Sequence, residues 1–166
     1  YISDLHGVLG IHTIPSFVGV PLTVLIVVFI INSINLIDGI DGLASGLCIF
    51  SIMGFAFMFH RLTMAMNLVL AMSMLGVLVM FYLYNTLGKR GKTKIFMGDT
   101  GAMFLGFMIA VLSLLGFKNV TVISLIIPIV ILGVPISDTF YAIVRRVLHK
   151  KPLSAPDKSH LHHCLL

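Results

Sequence analysis

Glutamate is missing altogether from these 166 residues, and charge of either sign is scarce: Asp, Glu, Lys and Arg together make up 10% of the chain. Soluble domains carry about 25%, so this composition belongs in a bilayer, where 58% hydrophobic residues are at home. Glu usually decorates solvated helix faces, so its absence leaves little such surface to decorate. Cysteine is nearly missing too. Cys48 lies in an apolar run and Cys164 in the polar tail, which excludes a disulfide framework and leaves two free thiols. No basic segment followed by a cleavage site opens the chain, so no signal peptide is expected. A start at Tyr1 reads as an internal stretch of a longer protein.

The net charge of +5 does not imply nucleic acid. The basic residues sit at the ends of apolar runs, where they anchor loops against anionic lipid. Five apolar runs, at about 14–37, 43–59, 62–86, 101–117 and 119–144, approach or reach the roughly 17–25 residues that cross a bilayer. Isolated runs of this kind must satisfy their own backbone, so helix is the expected state. Pro128 and Pro135 are expected to kink the last one. The fold class is therefore an all-α polytopic membrane protein, one integral-membrane domain over 1–166 with a tail at 145–166.

Lys and Arg set the orientation. Lys89, Arg90, Lys92 and Lys94 lie in the loop 88–100, and Arg145, Arg146, Lys150, Lys151 and Lys158 in the tail; only Arg61 and Lys118 fall opposite. Nine against two puts that loop and the tail in the cytoplasm. With five spans, the connection at 36–42 lies there as well. Asp38, Asp41, Asp99, Asp138 and Asp157 then share the inner face, and of the six acids only Asp4 is outside.

Three polar clusters stand on that face. Asn32, Asn35, Asp38 and Asp41 recur every third residue where one span ends and the next begins. On a helix end, i and i+3 share a face, and the two Asp-Gly steps allow a tight turn and close backbone approach to a ligand. A single Asp-Gly would be no more than a turn former or cap. Four polar groups in register at membrane depth are expensive and point to function. Phe96-Met-Gly-Asp99-Thr-Gly101 opens the fourth span, where Asp99 is either an N-cap or a hard-cation ligand. His160, His162 and His163 follow Asp157 near the end of the tail. They are read as anion binders or acid–base groups, with a zinc site including Cys164 as the other reading. The basic loop residues need no role beyond topology, and His6, His12 and His60 are read as structural. Carboxylates for a divalent cation beside cationic groups for phosphate suit phosphoryl transfer, and their place at a membrane surface implies one lipid-borne and one soluble reactant.

At these residues the chain resembles the polyprenyl-phosphate N-acetylhexosamine-1-phosphate transferases, glycosyltransferase family 4. The matching stretches are NSINLIDGIDGLA at 32–44, FMGDTG at 96–101 and PISDTFYAIVRRVLHKKPLSAPDKSHLHH at 135–163. The His-Leu-His-His form is closer to the undecaprenyl-phosphate GlcNAc-1-phosphate branch than to the muramoyl-pentapeptide branch. The resemblance implies that undecaprenyl phosphate attacks the sugar-linked phosphorus of a UDP-N-acetylhexosamine, releasing UMP, in a bacterial inner membrane with the site facing the cytoplasm. It implies Asp99 as the main Mg²⁺ ligand with Asn35 beside it on metal or diphosphate, and Asp38 and Asp41 on the nucleotide side. It further implies Phe96 stacking on the uracil, His160, His162 and His163 on the diphosphate, and Asn32 and Asn85 bordering the site. Hard oxygen ligands favour Mg²⁺, with Mn²⁺ as a substitute; a homodimer is neither required nor forbidden. The family's upstream Asp-Asp motif is not in this chain, so the 166 residues alone are expected to be inactive. Ala102 stands where the family often has Ser.

Three rival readings fit the residues less well. A CDP-alcohol phosphotransferase would carry Arg after Leu43-Ala44, where Ser45 stands, and a further acid between Asp41 and Asp99. An ion-coupled transporter would carry acids near the centres of its spans, and these centres are apolar. A non-catalytic membrane subunit is the third.

Overall fold

In a bilayer, an apolar run of some twenty residues can satisfy its own N–H and C=O groups only as a helix. The computed structural model describes residues 1–8, 11–89 and 91–119 and contains four such helices. These are α1 (Ser16–Ile37), α2 (Leu43–Arg61), α3 (Ala65–Leu87) and α4 (Gly98–Asn119). All four are long and apolar enough to cross a membrane, α4 through its portion Gly98–Gly116. α4 begins three residues before the apolar run expected at 101. Gly98 takes a left-handed φ of 65°, and Asp99 then enters the first turn, where a carboxylate is favoured by the exposed N–H groups. The expected fifth span at 119–144 and the tail at 145–166 lie outside the described residues.

The all-helical expectation needs one addition. β1 (Asp4–Val8) and β2 (Ile11–Thr13) pair antiparallel, with Asp4 opposite Thr13 and Val8 opposite Ile11. β1 advances four residues where β2 advances two, so the ladder is bulged. The chain before β1 rests on the first turns of α1: the Ile2 N–H donates to Thr23 Oγ1 at 2.9 Å, and that hydroxyl donates to the Gly19 carbonyl at 2.6 Å. A Cβ at Gly19 would collide with the Ile2 carbonyl.

Side by side, α4 packs between α1 and α2, and α3 covers the other flank of α2. α2 is consequently the most enclosed helix, with Cys48, Ile52, Phe55 and Phe59 buried along it. The Phe55 and Phe59 rings stack with centroids 6.3 Å apart. Lipid is as apolar as these side chains, so what holds the helices together is close packing rather than escape from water. The crossing of α1 and α4 shows how close: a Cβ at Gly106 would stand 2.7 Å from Ile31 Cα. Serines inside the bundle return their hydroxyls to their own helices, Ser33 to Phe29 O at 2.8 Å and Ser51 to Leu47 O at 3.1 Å.

Candidate active site

The end of α1, the start of α2, the end of α3 and the start of α4 meet at one end of the bundle. Asn85, in the last turn of α3, ties them together. Its Oδ1 accepts the Gly42 N–H at 2.6 Å, and its Nδ2 donates to the Ile95 carbonyl at 2.8 Å. The side chain is buried and both its polar ends are taken by backbone. The sequence reading has Asn85 bordering the site, and its hydrogen bonds add a clamp there, fixing Gly42 against Ile95. Gly42, the N-cap of α2, has φ 78°, and a Cβ there would collide with Thr86 Cγ2 and stand 3.2 Å from Tyr82 Cε2. Only glycine lets the chain turn this close to α3.

The clamp gathers the acids. Asp38 caps the C-terminus of α1 and is half-buried. Its carboxyl is pushed up from the usual 3.8 to about 6, first by burial and then by the neighbouring charges of Asp99 and Asp41. Asp41, from the loop after α1, and Asp99, from the first turn of α4, therefore both bear on Asp38. Asn35, one turn earlier on α1, is partly buried, and its Nδ2 is a buried donor with no acceptor among the described residues. Asn32 is exposed, as are Phe96 and Asp99. His160, His162 and His163 lie outside the described residues, with Asp138 and Asp157.

One residue at this end had only a topological reading in the sequence. Lys94 makes an ion pair with Asp41, and its ammonium lies 5.6 Å from the centroid of the Phe96 ring. Four basic residues in six positions hide which of them turns inward, and only the fold singles it out.

Chemically, this is a half-desolvated carboxylate repelled by two others, with an amide donor that lacks an acceptor among the described residues. A divalent cation would relieve the repulsion, and an anion oxygen would satisfy the donor. Among the described residues, no three His, Cys or Asp side chains close around one point as a complete metal cage. Sites that take part of their ligand set from water and substrate phosphate do not need one.

Comparison with known proteins gives the family. A family model described as "Glycosyl transferase family 4" matches residues 1–117. Over 151 residues, 88% of this chain, it is 52% identical to a Bacillus subtilis (strain 168) protein named probable undecaprenyl-phosphate N-acetylglucosaminyl 1-phosphate transferase, covering 40% of that protein. It is 32% identical over 96% of its length to a decaprenyl-phosphate N-acetylglucosaminephosphotransferase of Mycobacterium leprae (strain TN), covering 44% of it. A phospho-N-acetylmuramoyl-pentapeptide-transferase of Staphylococcus carnosus (strain TM300) is 33% identical over 67% of the chain, with 36% of its own length covered. The chain thus spans about two fifths of the relatives it matches. No solved structure matches it.

Proposed function

The chain belongs to glycosyl transferase family 4, and on that footing we propose that its protein transfers N-acetylhexosamine-1-phosphate, with GlcNAc-1-phosphate the foremost case, from a UDP-sugar to a polyprenyl phosphate. Two relatives named for GlcNAc transfer carry undecaprenyl and decaprenyl phosphate in their names, so the polyprenyl phosphate is the shared acceptor and its chain length the variable part. The site faces the cytoplasm of a bacterial inner membrane in this reading, because Lys89, Arg90, Lys92 and Lys94 flank it.

The single observation that carries the proposal is that Asp41, from the loop after α1, and Asp99, from the first turn of α4, both bear on Asp38 at one end of the bundle. The reaction forms a bond from a lipid phosphate oxygen to the sugar-linked phosphorus and breaks that phosphorus from the bridging oxygen of UMP. Charge on the diphosphate must be offset while this happens. Asp99 with the amide oxygen of Asn35, and Asp38 reassigned from the nucleotide side because Asp99 bears on it, would supply the hard oxygen donors that fit Mg²⁺, and a bound cation would neutralise the diphosphate. The Asn35 amide nitrogen, without an acceptor among the described residues, suits a diphosphate oxygen. Phe96, exposed beside the Lys94 ammonium, offers a face on which the uracil can stack. His160, His162 and His163 are proposed as further diphosphate ligands.

An ion-conducting reading finds less support: among the described helices the one acid is Asp99, in the first turn of α4. The test is direct. Full-length protein in detergent with undecaprenyl phosphate and Mg²⁺ is expected to move label from UDP-[¹⁴C]GlcNAc into the lipid phase with one UMP per sugar. No lipid label from any UDP-N-acetylhexosamine, with the protein folded, contradicts the proposal.

A further inference from the structure

A basic loop beside a membrane needs nothing more than anionic lipid to explain it, yet Lys94 is unlike its neighbours. Lys89 and Lys92 are exposed, whereas the Lys94 side chain is only 11% exposed, its ammonium on Asp41 and over Phe96. Its backbone is also held. A Cβ at Gly88 would stand 2.7 Å from Lys94 Cα and 2.9 Å from its nitrogen, so the turn closes only because residue 88 is glycine. The Lys89 carbonyl accepts the N–H groups of Lys92, Thr93 and Lys94 at 3.0, 3.1 and 3.3 Å. Thr93 Oγ1 accepts the Lys89 N–H at 2.9 Å, and Asn85 grips the next carbonyl along, that of Ile95. A lysine on so constrained a turn is aimed at its partner.

What it does to that partner follows from position. Asp41 is 45% exposed at the rim, while Asp38 is turned inward, and among the described residues no three acids close around one point. We propose that Lys94 is a positioning residue that holds Asp41 against the 88–97 loop, so that Asp38 and Asp99 are the two carboxylates that would share the divalent cation. The division suits a transferase. A cation on two carboxylates keeps coordination positions open for water and diphosphate oxygens, whereas a third carboxylate would fill one of them and hold the ion more tightly than turnover allows. Asp41 is thereby reserved for the nucleotide side.

The activity arm of the test rests on the proposed reaction; the metal arm does not. In full-length protein without substrates, thermal unfolding followed against Mg²⁺ alone gives a half-saturating concentration. Lys94→Met removes a positive charge beside the ion and frees Asp41 to turn in, and both effects tighten binding. The half-saturating concentration is expected to fall roughly fivefold, in the same direction for Lys94→Gln, and to stay within about twofold of wild type in Lys94→Arg. In the transfer assay, KM for the UDP-sugar is expected to rise about tenfold in Lys94→Met, with Lys94→Arg recovering most of it. An unchanged or weakened Mg²⁺ response in both Lys94→Met and Lys94→Gln overturns the inference; so does a raised KM with the Mg²⁺ curve unmoved, which would make Lys94 a direct phosphate ligand. A wild-type protein that transfers no sugar, with the metal arm behaving as stated, sinks the reaction and leaves the role of Lys94 standing.

Discussion

Asp38 is a group whose neighbours make it costly to ionise. Its carboxyl is raised from 3.8 to about 6 by burial, Asp99 and Asp41. A proton therefore binds the folded state more tightly than the unfolded one. The associated stability is fully present below about pH 3.8 and is lost as pH rises through about 6. Replacing Asp38 with Asn removes that loss. Asp38→Asn is expected to raise the unfolding temperature in detergent without divalent cation at pH 8, to leave it near wild type at pH 4, and to abolish transfer. Thermal melts across that range check it; a variant less stable than wild type at pH 8 would show that Asp38 is not the strained group described here. Stability given up at one carboxylate is the pattern of a site built for a ligand rather than for the fold.

Among elements, the decisive contacts are backbone approaches that side chains would block. Gly106 lets α4 lie on Ile31 of α1 at 2.7 Å from a would-be Cβ, whereas Gly76 on α3 has nothing within 4 Å. Gly106→Val is therefore expected to cost about 1–3 kcal/mol, lowering the melting temperature by roughly 2–4 °C per kcal/mol. Gly76→Ala should leave it unchanged or higher. Equal losses at both positions would contradict the α1–α4 packing. The helices themselves were legible because long apolar runs in lipid have one backbone solution. The packing order was not, because α1 meets α4 across 60 intervening residues through one glycine that looks like any other in the sequence. The β1–β2 hairpin was missed for a different reason: two short strands at the edge of a long apolar chain make too weak an alternation to stand out.

At the scale of the molecule, charge asymmetry and helix parity alone were enough to group Asp38, Asp41 and Asp99 on one face, because a bilayer leaves a polar loop only two places to be. What parity could not reach were side-chain pairings between distant loops. Asn85 bonds to Gly42 across 43 positions, and Lys94 pairs with Asp41 across 53. Both follow from the way α2 and α3 lie together, and neither has a local signature. The result is a site whose acids were readable in the sequence and whose supports were not.

In the proposed function Asp99 lies at the cytoplasmic end of the bundle and serves a sugar-phosphate transfer. The measurement that tests it most directly is lipid labelling from UDP-[¹⁴C]GlcNAc in inverted membrane vesicles carrying the full-length protein, wild type against Asp99→Asn at matched expression. Mg²⁺-dependent labelling by wild type that falls about 100-fold or more in Asp99→Asn is the predicted result. Labelling by Asp99→Asn at the wild-type rate would contradict it.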